Sequence, residues 1–243
     1  MHFATTRTEA LALSAAGHDD AEVGRRLGVP RRTVRDWRAG TGRARPACAR
    51  CWLPTRPVVM SPADYAELLG LYLGDGHIAQ GARTQKLRLS LDARYPTIVA
   101  DAEALLARCF PGNRVGRVTA CGGSNVIPHV YHAHLTCLFP QAGQGKKHER
   151  PIVLEPWQQL LVDAAPWSLL RGLIRSDGCV FVNRTGRYEY LSYHFANLSR
   201  DILELFVTTC ESVGLSPRWS GTQVRLNRRV DVARLMLHVG RKS

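Results

Sequence analysis

The 243-residue sequence contains no apolar run long enough to cross a bilayer, which takes ~18 residues or more, and no apolar leader stretch near its start. Neither membrane insertion nor secretion is expected. Acidic residues are scarce, 20 Asp and Glu against 33 Lys and Arg, leaving a net charge of +13 at pH 7. That balance points to an acidic partner, of which nucleic acid is the commonest. The excess is not one tail, because residues 1–57 carry 11 basic against 5 acidic residues and the remainder carries 22 against 15. Cysteines number seven, and without secretory context they are expected to be reduced thiols of a cytosolic protein. A single CxxC pair, Cys48 and Cys51, is unaccompanied by a second CxxC or an HxxxH, so the four ligands of a structural zinc are not at hand. These two are expected to be free thiols rather than a zinc knuckle. They lie in a Gly-, Pro- and Arg-rich linker over residues 39–57. With 45% hydrophobic residues, the chain can still bury a core of one or two domains.

What the chain does carry is one nine-residue pattern written twice: LLGLYLGDG from Leu68 to Gly76, and LRGLIRSDG from Leu170 to Gly178. Each copy reads as the last turns of an apolar helix with small residues four apart, Gly70 and Gly74 in one, Gly172 and Ser176 in the other. Such spacing clears a groove on one helix face and lets two helices approach closely. Each copy ends in Asp-Gly, and Gly76 and Gly178 are expected to take the left-handed conformation that ends a helix. Two such helices packed about a pseudo-twofold axis would bring Asp75 and Asp177 out side by side. Paired carboxylates repel unless cations neutralise them, and divalent-metal sites for phosphodiester chemistry are built that way.

The pair of motifs, 102 positions apart and each followed by strand and helix patterns, resembles the signature of the LAGLIDADG homing endonucleases. The resemblance covers nearly everything from Tyr65 to Val239. It implies an α+β core of two pseudo-twofold-related αββαββα repeats with a saddle-shaped antiparallel sheet. It makes Asp75 and Asp177 the metal-binding and catalytic acids, with Mg²⁺ or another divalent cation as cofactor. The sixth motif position, often acidic in the family, is Leu73 and Arg175 here. A lysine near the metals is a further family feature, and Lys146 and Lys147 in the segment between the repeats are the candidates; the milder reading of the two, and the favoured one, is a phosphate clamp. Bacterial stand-alone proteins that join a helix-turn-helix to such a core share this layout, which implies a nucleoid-associated protein.

Residues 1–38 precede the core. AEVGRRLGVPRRTVRDW resembles a helix-turn-helix, with Gly24 at the small position, Gly28 in the turn and Val34 in the core of the second helix. That leaves Arg31, Arg32, Thr33 and Arg35 to face a DNA groove. In the core, Lys86, Arg88 and Ser90 alternate with Leu87, Leu89 and Leu91, and Tyr190, Ser192 and His194 alternate with Leu191, Tyr193 and Phe195. Gln223, Arg225 and Asn227 flank Val224 and Leu226 in the same way. His132 and His134 are read as strand residues facing DNA rather than as a metal pair. Polar faces of this kind can reach base edges and phosphates in a major groove.

The expected division is a helix-turn-helix domain over 1–38, the linker over 39–57, a first repeat with insert over 58–164 and a second repeat over 165–243. The expected partner is double-stranded DNA, bound by a monomer. The expected activity is metal-dependent phosphodiester hydrolysis. The alternative is a helix-turn-helix transcriptional regulator whose LAGLIDADG-like core binds without cutting.

Overall fold

The computed structural model describes residues 4–38, 60–81 and 84–242; the linker with Cys48 and Cys51 lies outside the described residues. The chain divides into two compact units, Met1–Arg56 and Pro57–Ser243.

The first unit holds three helices, α1 (Ala4–Ala15), α2 (Asp20–Leu27) and α3 (Arg31–Arg38). The Asp19 carboxylate accepts the backbone N–H groups of Ala21 and Glu22, both at 2.8 Å, which caps the start of α2. Gly28, at φ +64°, ends it in the left-handed region. Gly24 has to be small, since a Cβ there would stand 2.6 Å from the carbonyl oxygen of Val29. Ala10, Val23, Val29 and Val34 form the buried centre, with Leu13, Leu27 and Trp37 packed around it.

The second unit is built on α4 (Pro62–Asp75), whose first turn is capped by the Ser61 hydroxyl accepting from the Asp64 N–H. The chain continues through β1 (Gly76–Gln80), β2 (Gln85–Leu89), β3 (Leu91–Asp92), α5 (Pro96–Cys109), β4 (Gly116–Ala120) and β5 (Asn125–His132). Short α6 (Leu135–Leu138) and α7 (Pro156–Ala164) occupy the segment between the repeats. The second repeat then runs α8 (Pro166–Asp177), β6 (Gly178–Thr185), β7 (Tyr188–Ala196), α9 (Arg200–Ser212), β8 (Arg218–Ser220), β9 (Gln223–Leu226) and α10 (Arg229–His238).

Both repeats use one antiparallel pairing order. The first sheet pairs β1 with β2, β2 with β5 and β5 with β4, and the two-residue β3 also pairs with β5. The second sheet runs β6-β7-β9-β8. The registers correspond too: Gly76 faces Leu89 as Gly178 faces Phe195, Leu87 faces Val130 as Tyr193 faces Leu226, and Gly116 faces His129 as Arg218 faces Arg225. Leu87, Leu89 and Leu91, like Tyr193, Phe195, Val224 and Leu226, are fully buried, so one face of each sheet lies against the helices. Phe195 stacks on Phe206 of α9 with ring centres 4.3 Å apart.

The helix pair α4–α8 packs backbone to backbone. A Cβ on Gly70 would stand 2.7 Å from both the carbonyl oxygen of Leu169 and the amide nitrogen of Leu173. One on Gly172 would meet the carbonyl oxygen of Glu67, and one on Gly74 would meet the Ser176 side chain. The four small positions therefore do what their spacing implies. The expected left-handed caps, by contrast, do not form. Gly76 (φ −87°) and Gly178 (φ −92°) are extended, and the chain runs straight from helix into strand. Glycine is needed there for space: a Cβ would lie 2.7 Å from the Tyr72 carbonyl oxygen and 2.6 Å from that of Ile174.

Charge crosses the same helix interface. Glu67 of α4, with a side chain 11% exposed, accepts from Arg175 at 2.9 Å and from Arg171 at 3.3 Å, and Arg175 also pairs with Asp101 of α5 at 2.8 Å. This accounts for an arginine at the sixth position of the second motif. Glu67→Gln leaves two guanidinium groups facing each other and should cost about 3 kcal/mol, a drop in melting temperature of roughly 6–12 °C. A melting curve that does not move would show the network to be solvated and idle.

Candidate active site and nucleic-acid face

Where α4 and α8 end together, their last residues meet. Asp177 leans across the end of α4, its Oδ2 lying 3.0 Å from where a Cβ on Gly74 would stand. Burial pushes the Asp75 carboxyl up to about 7, with the neighbouring Asp177 charge adding to the rise. Burial also raises Asp177, against an opposing hydrogen bond from Asn197, whose Nδ2 donates to Asp177 Oδ2 at 2.7 Å. Asn197 is itself fixed, since its Oδ1 accepts the Ser199 N–H at 2.7 Å.

Two lysines complete the cluster. Lys147 Nζ donates to the carbonyl oxygens of Gly74 (3.0 Å) and Gly76 (2.6 Å), which flank Asp75. Lys242 Nζ donates to those of Ser176 (2.5 Å) and Gly178 (3.3 Å), which flank Asp177. The two ammonium groups are thus counterparts under the pseudo-twofold relation, each over a tyrosine ring, Tyr72 and Tyr95. Burial lowers Lys147 to about 8, although Asp177 and Asp75 pull it the other way. Lys146, the other expected lysine, does not join: its side chain is 73% exposed and lies 4.0 Å from Glu149 at the rim. The cleft beside Asp177 encloses about 440 Å³ and is lined by Gly74, Lys146, Lys147, His148, Asn197 and Thr222 among others.

The donor set suits a hard divalent cation. Among the described residues no group of three or more His, Cys, Asp or Glu side chains is placed to hold a metal ion. An ion between Asp75 and Asp177 would therefore take two carboxylates and complete its shell from water and phosphate oxygens, the usual habit of Mg²⁺.

The helix-free faces of the sheets carry most of the side chains expected there. Arg88, Gln223, Arg225 and Asn227 are exposed, Ser90 is exposed just past β2, and Lys86 is half-buried. Tyr190 is exposed and His194 half-buried, edge-on to Phe181 at 4.2 Å. In the first unit Arg31, Arg32 and Arg35 are exposed and Thr33 is half-buried around buried Val34.

Three expectations need correction. His132 pairs with Gln85, the parity of buried Leu87 and Val130, and packs against the Phe110 ring at 5.3 Å, so it faces the core. His134 lies beyond the end of β5, at the start of α6. His129, opposite Arg88, and Tyr131, opposite Lys86, hold the outward positions instead. Ser192 shares the outward parity but is fully covered, its hydroxyl accepting from the Asn183 amide.

The sequence pattern did not single out Lys242, Asn197 or His129. Lys242 belongs to no motif, and only the pairing of the two helix ends shows it to be the counterpart of Lys147.

Comparison with known proteins bears on the fold. A Homeodomain-like domain model matches residues 1–46. The chain is similar to I-DmoI, a homing endonuclease, in complex with DNA and Mn, at 12% identity and TM-score 0.50, covering 74% of this chain and 97% of that one. I-DmoI in complex with DNA and Ca aligns at 13% identity and TM-score 0.50, covering 74% and 90%. The N-terminal LAGLIDADG domain of DUF199/WhiA aligns at 14% identity and TM-score 0.50, covering 76% and 87%. The core has the LAGLIDADG fold. No curated protein matches the chain by sequence. In this LAGLIDADG core the repeated motif supplies the central helix pair, and the two aspartates close it at one end. No helix among the described residues is long and apolar enough to cross a membrane.

Proposed function

We propose that the chain is a sequence-specific double-stranded DNA-binding protein and a divalent-metal-dependent DNA endonuclease. The observation that carries the cutting activity is the quartet of Asp75, Asp177, Lys147 and Lys242 at the paired helix ends. Two half-buried carboxylates side by side, both raised above the ordinary carboxylate range, are costly for folding and useful to a cation. A regulator that only binds DNA has no chemical need of them, although the Homeodomain-like match over residues 1–46 would suit one.

Asp75 and Asp177 would hold the cation, which supplies a Lewis acid and a nucleophilic water near neutral pH. Lys147 and Lys242 tie down the carbonyls on either side of each aspartate, which fixes where the carboxylates leave the helices. They also set positive charge beside the strand to be cut, where charge develops in the transition state. The polar faces of the two sheets would lie in the major groove, and α3 would supply a second reading head.

Binding should be steeply salt-dependent, because the net charge of +13 implies many phosphate contacts. With 6–10 of them, affinity should fall roughly 10³- to 10⁵-fold between 50 and 200 mM salt. A flat plot of log affinity against log salt, from fluorescence anisotropy on duplex DNA, would remove nucleic acid as the partner.

A further inference from the structure

The two repeats share their strand order and register, so each outward side chain of one sheet has a defined counterpart in the other. Most counterparts differ. Lys86 and Tyr131 correspond to covered Ser192 and to Asn227, and Val118, exposed on β4, corresponds to Ser220. One cross-strand pair is the same in kind. Arg88 faces His129 between β2 and β5, and His194 faces Arg225 between β7 and β9. These are equivalent positions with the two residues exchanged.

Each pair has its own support. Gly116 lies opposite His129, where a Cβ would come within 2.5 Å of the imidazole Nε2, so the small residue leaves room for the ring. Gln223 Oε1 accepts from Arg225 Nη2 at 3.1 Å, which steadies the guanidinium over the face. Arg88 and Arg225 are exposed, and both arginine and histidine can donate to the N7 and O6 acceptors of guanine.

We propose that this Arg–His pair makes the LAGLIDADG core read one guanine·cytosine pair in each half of its DNA target, at matching distances from the centre. The rest of the site would be unlike in its two halves. The proposal rests on the DNA-binding reading above. Exchange of Arg and His displaces the guanidinium by one strand, ~4.8 Å, against a base-pair rise of ~3.4 Å. The two positions should therefore match to within about one or two base pairs.

The test uses the full chain. Bound sequences are selected from random duplex DNA with wild type, Arg88→Ala and Arg225→Ala, each variant first checked for native melting. The wild-type set should show two guanine·cytosine positions related by the centre of the core's footprint. Arg88→Ala should relax one of them and Arg225→Ala the other, each by roughly 5- to 150-fold in preference. Footprints in which the two variants change unrelated positions, or in which neither changes preference, would overturn the proposal while leaving DNA binding in place. Failure of wild type to enrich any sequence, with no affinity for duplex DNA at low salt, would overturn the DNA-binding reading together with it.

Discussion

Replacing Asp75 and Asp177 together by asparagine should lower strand cleavage by several orders of magnitude while DNA binding in the absence of metal persists or tightens. Asparagine keeps the size of the side chain but carries no charge, and neutral amides hold a hard divalent cation poorly. Two carboxylates near a phosphate backbone are repulsive, so their removal should help metal-free binding. The substitution has a second signature in stability. Burial and Asp177 hold the Asp75 carboxyl at about 7 in the folded chain, above its ordinary 3.8. An acid raised by folding leaves the native state unpenalised while both states are protonated, below about pH 4. The penalty grows as pH rises toward 7, because the unfolded chain releases its proton first, and it is fully present above that. Asp75→Asn should thus stabilise the folded chain at pH 7.5 by an amount on the order of 4 kcal/mol, read as a higher melting temperature, and leave the melting temperature nearly unchanged near pH 4. A double asparagine variant that still cuts both strands in Mg²⁺ would take these residues out of the catalytic role. Equal melting shifts at both pH values would show that the carboxylates are solvated.

The second large effect concerns the helix pair itself. Gly172→Ala places a Cβ against the Glu67 carbonyl oxygen, and Gly70→Ala places one 2.7 Å from backbone atoms of Leu169 and Leu173. Backbone cannot swing aside as a long side chain can, so α4 and α8 must separate along their whole contact. Each substitution should cost about 3 kcal/mol or more, at the upper end of overpacking, and the pair together should abolish the folded core. The comparison is Gly112→Ala, where a Cβ meets nothing within 4 Å and the expected change is within about 0.5 kcal/mol. Chemical denaturation of the three single variants checks this. Near-equal stability of Gly172→Ala and Gly112→Ala would mean the helices do not approach as described.

The helix pair and its aspartates were legible because their constraints are local and repeated. Small residues four apart leave one face bare, and Asp-Gly marks where each helix stops. The manner of stopping was not legible. A left-handed cap and a direct turn into extended strand both call for glycine, and only the overlying Tyr72 and Ile174 backbone decides between them. Strand alternation placed Arg88, His194 and Arg225 because Leu89, Phe195 and Val224 are strongly apolar neighbours. It failed on β5, where Ile127 and Pro128 are both buried and blur the period, and the register slipped so that His132 replaced His129. Lys242 and Asn197 reach the aspartates from far along the chain through single side chains. No spacing rule reports such contacts.

The most direct measurement takes the duplex that wild type selects, labels each strand separately at its 5′ end, and incubates it with protein in Mg²⁺ or Mn²⁺ for analysis on a denaturing gel. One cut in each strand within the core's footprint, dependent on the metal and lost on chelation, is the expected result. A duplex that remains tightly bound and intact on both strands with either metal would contradict the endonuclease.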